Sequence, residues 1–364
     1  MDCSSSGLDF AIIGHQDSWQ TITSFINTLR KPDLTELSIE QAKGVFSFIP
    51  PRDIYKINIT SKSGRQVTGA YIETFIEPDK LTIEHTRKNV WKVMKAVDHA
   101  AKLGARIVAM GGFTSIVLEG KIAGDCLANT RFTTGNTLTA AFIVKGVEQA
   151  AKQLNLPLSR ATFLILGATG DIGLACVNYF KNKVKKLLLC ARNKHRLQQL
   201  DNDLNDENIA VKSSVCLNEL IGDADVIIGV ASSSNINLAG CKPGVLICDA
   251  GYPKNMDSMV DLHTGINLFH GGMGQVTGGY SFMPDYSKEV YSFPVPYLSY
   301  GCTLEAVVLA LESRYETYSV GKGNITPASM EEIYGLSQKH GIILSPFFNS
   351  RGLCNLPSEP IMNT

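Results

Sequence analysis

No part of this 364-residue chain offers the roughly 18 consecutive apolar residues that a membrane-spanning helix needs; even "RIVAMGGFTSIVLEG" is broken by glycines and polar groups. The opening "MDCSSSGLDF" lacks a basic segment followed by an apolar one, so no secretory leader is expected. Charge of one sign is not in excess either. With 34 Lys and Arg against 34 Asp and Glu, the chain lacks the basic surplus of a nucleic-acid binder. The nine cysteines form no C-x-x-C pair and no His/Cys cluster at zinc spacing, so no metal site is expected. An odd number of scattered thiols without an export signal fits a reduced, cytoplasmic protein. No internal repeat or low-complexity segment stands out.

What is present reads as α/β, and three regions are expected. Residues 1–135 open with a buried strand, "FAIIG". "IYKINIT" and "QVTGAYIETFI" then alternate around "SKSGRQ" as a hairpin. A helical period follows, with Val90, Val93, Met94, Val97 and Ala101 on one stripe, and then the strand "RIVAM". This is an α+β substrate domain. Residues 136–290 hold a helix, with Phe142, Ile143, Val147, Ala150 and Leu154 on one stripe, and then six short apolar runs from "ATFLILG" to "INLFHGG". That alternation is the mark of a Rossmann-type, doubly wound parallel sheet. Residues 291–364 carry C-terminal helices, the first with Leu304, Val307, Val308, Leu311 and Tyr315 in helical register.

Inside "FLILGATGDIG" a strand ends, the chain turns through Gly167, Gly170 and Gly173, and a helix begins. Glycines let the backbone turn and approach a pyrophosphate, and the helix N-terminus offers N–H groups to it. Gly167, Thr169, Gly170, Asp171, Ile172 and Gly173 are therefore expected to bind a dinucleotide. The second strand runs into Arg192 and Asn193 where an NAD site usually places Asp or Glu. An arginine there suits a 2′-phosphate, so NADPH is the expected cofactor. Ser232, Asp249 and Tyr252 sit in strand-end loops, where they either line the cofactor or cap their own loops. Asn136 either caps the helix it precedes or reaches the nicotinamide.

Two further stretches carry chemistry. "MGGFTSI" presents backbone N–H groups with Thr114 and Ser115, the equipment of an oxyanion site or of a tight connection. In "PVPYLSYGCTLEA", a cap at Ser299 would put Cys302 in the first helical turn, where the helix end favours a thiolate. The other reading is a small residue packed beneath a turn.

Taken together, "MGGFTSI", "RFTTGNTLTAAFIVKGVEQAAK", "LGATGDIG", "CARNKHRL", "DAGYPKN" and "GCTLEAVVLALESRYETYSVGKGNIT" resemble the long-chain acyl-[acyl-carrier-protein] reductases known from cyanobacteria. The resemblance runs in order from about Tyr71. It implies NADPH-dependent reduction of a fatty acyl thioester to the aldehyde, with Cys302 as nucleophile, Glu305 one turn on and an active-site serine at Ser115. It also implies an acyl carrier protein or coenzyme A thioester as the partner, and an aldehyde-consuming enzyme downstream. Cys302 is then expected to titrate below the free-thiol value of about 8.5, with Glu305 turned aside to an N–H or a basic group. Two other functions fit parts of the sequence. One is a shikimate-dehydrogenase-like NADP oxidoreductase, although "KLTIEH" and "DKL" offer no convincing Lys/Asp pair. The other is a non-catalytic NADP(H) sensor.

Overall fold

The alternating runs become two six-stranded sheets. The computed structural model describes residues 7–31, 33–81, 85–112, 114, 130–231, 236–252, 254, 256, 265–286, 293–321, 323–354 and 356. Among them the first eleven strands are β1 (Phe10–Gly14), β2 (Arg52–Thr60), β3 (Gln66–Glu73), β4 (Ile107–Met110), β5 (Arg131–Thr133), β6 (Thr162–Leu166), β7 (Lys186–Cys190), β8 (Val211–Ser214), β9 (Val226–Gly229), β10 (Leu246–Asp249) and β11 (Asn267–His270). The helices are α1 (Trp19–Leu29), α2 (Ile39–Phe46), α3 (Thr86–Lys102), α4 (Asn136–Gln153), α5 (Asp171–Phe180), α6 (Lys194–Asp206), α7 (Gly301–Leu311) and α8 (Pro327–Lys339).

The chain forms two units. One comprises residues 1–135, 276–320 and 336–343; the other takes 136–275, 321–335 and 344–364. The residues from 291 on, expected as a segment of their own, are thus divided between the two.

In the first unit the strand Tyr280–Met283 lies at one edge, followed by β2, β3, β1, β4 and β5. β1 pairs in parallel with β3 and β4, while β2 and β3 form the antiparallel hairpin. β1 is apolar because it is covered on both faces. Val93, Ala96, Val97 and Ala100 of α3 pack on Ala11, Ile13, Ala70, Ile72, Val108 and Met110. On the opposite face α7 lies against β4, β1 and β3.

Two expected stripe positions differ. Met94 is 36% exposed, while Asn89 and Lys92 are buried. The Lys92 ammonium donates to the Phe75 carbonyl, so the buried face of α3 is rotated toward its polar positions. Tyr315 lies beyond the end of α7, because the chain leaves the helix at Glu312 and Ser313 takes a left-handed φ of 57°.

The second unit is wholly parallel in the order β8, β7, β6, β9, β10, β11. The order reverses between β6 and β9, and ligands of such sheets bind at the crevice beyond those strand ends. α4 is buried on most of its surface, not only on the expected stripe. Ala140, Ala141, Val144 and Ala151 are enclosed together with Phe142, Ile143, Val147 and Ala150, because it packs on both α5 and β10.

Candidate active site

In the second unit, β6 delivers the chain into its glycine turn at the reversal of strand order. Gly167 has φ +93°, and a Cβ on it would stand 3.0 Å from the Ala231 nitrogen. A Cβ on Gly173 would lie 2.1 Å from the Gly167 oxygen. Only glycine fits at both places, and the turn brings the N-terminus of α5 to the crevice. N–H groups of a first helical turn have no acceptor within their helix, so this cradle fits the pyrophosphate of a dinucleotide. Thr169 and Gly170 of the loop and Ile172 of the first turn of α5 are half-buried.

Asn136 is the first residue of α4. Its Nδ2 donates to Asp171 Oδ2 at 2.8 Å, bracing α4 against the glycine turn. Asp171, 9% exposed in the first turn of α5, is favourably placed against the helix dipole. Asn193 caps α6, its Oδ1 accepting from the Arg196 N–H at 3.0 Å, whereas the neighbouring Arg192 is exposed beyond β7. Asp249 is fully buried and holds its own loop, accepting from the N–H groups of Gly251 (3.2 Å) and Met256 (3.1 Å). Tyr252 is half-buried. Ser232 lies outside the described residues.

The thiol site belongs to the first unit. α7 starts directly from extended chain: its cap is Tyr300, with ψ 145° and no side-chain capping bond, rather than Ser299, which lies in the strand Leu298–Tyr300. Cys302 is still the second residue of the helix. A Cβ on Gly111, just beyond β4, would come 3.8 Å from Cys302 Sγ, and the Gly111 N–H donates to the Ile13 carbonyl at 3.2 Å. The Gly112 N–H and the N–H and hydroxyl of Thr303 act on the sulfur as donors. Thr114 closes this turn, its hydroxyl donating to the Gly111 carbonyl at 2.8 Å. Ser115 lies outside the described residues.

Burial outweighs those donors and, with the Glu305 charge adding to it, pushes the Cys302 thiol up. The expected depression is thus corrected: the residue is half-buried at the surface, yet its surroundings desolvate the sulfur more than the helix end and nearby donors favour the thiolate. Glu305 is fully buried and does turn aside, but to hydroxyls. Ser319 Oγ donates to its Oε1 at 2.7 Å, and the Thr133 hydroxyl donates to the same oxygen. Thr133 Oγ1 in turn accepts from the N–H groups of Gly135 and Ser319, each at 3.2 Å. The network ties the segment after β5 and the loop at 319 to α7.

Several polar groups around this thiol were not anticipated. His15, buried just past β1, has Nδ1 3.4 Å from Asp17 Oδ1; burial lowers its pKa against the pull of that carboxylate. Burial also raises the Tyr300 hydroxyl, and the charges of Asp17 and Cys302 act in the same direction. The only signal in the sequence was a histidine directly after a buried strand. Among the described residues no three His, Cys, Asp or Glu side chains are grouped to hold a metal ion, and no helix is long and apolar enough to cross a membrane.

Comparison with known proteins adds four findings. The shikimate / quinate 5-dehydrogenase family profile matches residues 148–270, within the second unit and short of Cys302. The long-chain acyl-[acyl-carrier-protein] reductase of Synechococcus elongatus is 33% identical over 347 residues, spanning 91% of this chain and 97% of that one. Aminotransferase PigE of a Serratia species is 26% identical over 295 residues, 79% of this chain but 34% of the relative. Among solved structures, L-tryptophan dehydrogenase from Nostoc punctiforme aligns over 93% of this chain and 82% of its own, at 11% identity and a TM-score of 0.39.

Proposed function

The chain belongs to the long-chain acyl-[acyl-carrier-protein] reductase family, and from that premise we propose that it reduces a fatty acyl thioester to the aldehyde with NADPH, through an acyl group held on Cys302. It is an oxidoreductase that uses a nicotinamide cofactor. The observation that carries the finer reading is the Cys302 sulfur at the start of α7, under the Gly111–Gly112 turn, with the Gly112 N–H and Thr303 directed at it.

In this reading Cys302 attacks the carbonyl carbon of the thioester, and the oxyanion that forms is met by the Gly112 N–H. Ser115 adds its hydroxyl to the same oxyanion. The carbon–sulfur bond to the carrier breaks, and the carrier, an acyl carrier protein or coenzyme A, departs before reduction. The dinucleotide, when bound, supplies the hydride. Gly167, Gly170 and Gly173 hold its pyrophosphate, with Thr169, Asp171 and Ile172 around the turn. Arg192 meets the 2′-phosphate. Cys302 is then expelled from the reduced carbon, releasing the aldehyde to an aldehyde-consuming enzyme. Glu305, through Thr133 and Ser319, fixes the helix turn that presents the thiol. The setting is cytoplasmic.

Intact-protein mass spectrometry after incubation with a panel of acyl thioesters, without NADPH, tests this reading. One acyl group should add to the parent, map to Cys302 and be absent from Cys302→Ser. Aldehyde formation by Cys302→Ser at near the parent rate would mean direct reduction of the thioester and end the covalent reading.

A further inference from the structure

Two glycines stand side by side where β1 and β4 end. Ile13 pairs with Met110 in parallel register, which sets Gly14 beside Gly111. Ile13 and Met110 both face α3, so the residue after each faces α7. Over Gly111 is Cys302 Sγ, 3.8 Å from the point a Cβ would occupy; over Gly14 is the Tyr71 hydroxyl oxygen, 2.6 Å from the equivalent point. Adjacent strands are about 4.8 Å apart. The phenol and the thiol therefore stand over neighbouring strands on one face of the sheet, close enough for a single thioester group to meet both.

Tyr71 is held firmly in that position. Its ring stacks on Tyr55 at 5.1 Å and 8°. Its hydroxyl donates to Glu73 Oε2 at 2.9 Å, a bond that must reverse for the phenol to be re-protonated, and accepts from Gln16 Nε2 at 3.4 Å. Gln16 donates to the same carboxyl oxygen at 2.9 Å, and the Phe75 N–H donates to the other at 3.0 Å. Glu73 is 3% exposed.

We propose that the Tyr71 hydroxyl protonates the carrier sulfur as it leaves, and that Glu73 restores the phenol. This rests on reading Cys302 as the acyl acceptor. The balance closes as follows. Cys302, its proton given to water, forms the new sulfur–carbon bond, and the carbon–sulfur bond to the carrier breaks. The departing sulfur takes the Tyr71 proton, Tyr71 takes the Glu73 carboxyl proton, and water returns one to Glu73. One proton leaves Cys302 and one joins the carrier thiol, so acylation needs no outside acid. Burial, the largest influence on Glu73, pushes its carboxyl above the usual carboxylate range despite its donors. That direction favours a carboxyl that can hand a proton back to the phenol.

The test is leaving-group dependence. A pantetheine thioester releases a sulfur that benefits from a proton, whereas a 4-nitrothiophenyl ester of the same fatty acid releases a stable anion that needs none. Acylation of Cys302 without dinucleotide, followed by rapid quenching and intact mass, reads both. Tyr71→Phe keeps the ring and its stacking; it should slow acylation by the pantetheine thioester about a hundredfold and change the aryl ester by no more than about threefold. Glu73→Gln leaves Tyr71 in place and should show the same split. Equal slowing of both esters in both variants would make Tyr71 a packing residue and overturn the proposal while Cys302 keeps its role. A parent enzyme acylated by neither ester would overturn the reading of Cys302 and the proposal with it.

Discussion

Gly135 passes so close beneath Cys302 that a Cβ on it would stand 2.2 Å from the cysteine Cα and 2.3 Å from its carbonyl oxygen. Gly135 also has a left-handed φ of 71°. Gly135→Ala should therefore be costly twice over. The backbone conformation costs about 1–2 kcal/mol and overpacking about 1–3 kcal/mol more. A urea titration should show a lowered midpoint. A midpoint equal to the parent's would mean that the α7 start has room to move.

Glu305 is predicted to act on activity through position. Glu305→Ala leaves the Thr133 and Ser319 hydroxyls without their shared acceptor, at about 1–3 kcal/mol for each buried group left unsatisfied. Glu305→Gln retains an oxygen for both and should lose much less. Thermal melts of the two variants, with Cys302 acylation measured alongside, check this. Alanine and glutamine variants equally impaired in acylation but equally stable would point instead to a need for the charge itself.

Because burial raises the Cys302 thiol, ionisation should not be complete near neutrality. Proton loss is what burial opposes, so the reactive form gains with rising pH. Alkylation of Cys302 by iodoacetamide should be slower at pH 7 than that of the exposed Cys216, and should keep climbing above about pH 8.5. A rate already level below pH 7 would restore the preformed thiolate expected from its helix position.

Arg192 is predicted to choose between dinucleotides. Charge-assisted bonds to a 2′-phosphate are worth roughly 1.5–3 kcal/mol, or about ten- to a hundredfold in affinity. Arg192→Ala should weaken NADPH by that factor and spare NADH in fluorescence titrations. Equal weakening of both would leave Arg192 as a solvated surface residue.

The second unit was readable because its signals are local. Each short apolar run between helices becomes a parallel strand, and the spacing of Gly167, Gly170 and Gly173 marks the turn. The first unit was only half readable. The strand Tyr280–Met283 pairs with β2, a partner far back in the chain that no local pattern announces. Cys302 could be singled out from the approach to its helix, but its ionisation could not, since desolvation depends on what folds around it. Tyr71 and Glu73 had no signal at all. The role proposed for them follows from the register of β1 with β3 and β4, which exists only in the assembled sheet. The bond from Asn136 to Asp171 was out of reach for a related reason: its acceptor sits in another helix.

The interleaving of the two units bears on how the chain is made. The face of β1, β3 and β4 that α7 covers emerges early in synthesis, yet residues 301–311 follow only near the end. At the usual pace of translation that face waits roughly 10–40 s for its cover. The second unit waits as well, because residues 321–335 and 344–364 belong to it. A ribosome stalled after Val320 would thus hold a chain in which the second unit still lacks parts of itself. Nascent chains of this protein should depend on chaperones that shield apolar sheet surface, and shortening the chain from its C-terminal side should injure both units rather than trim one.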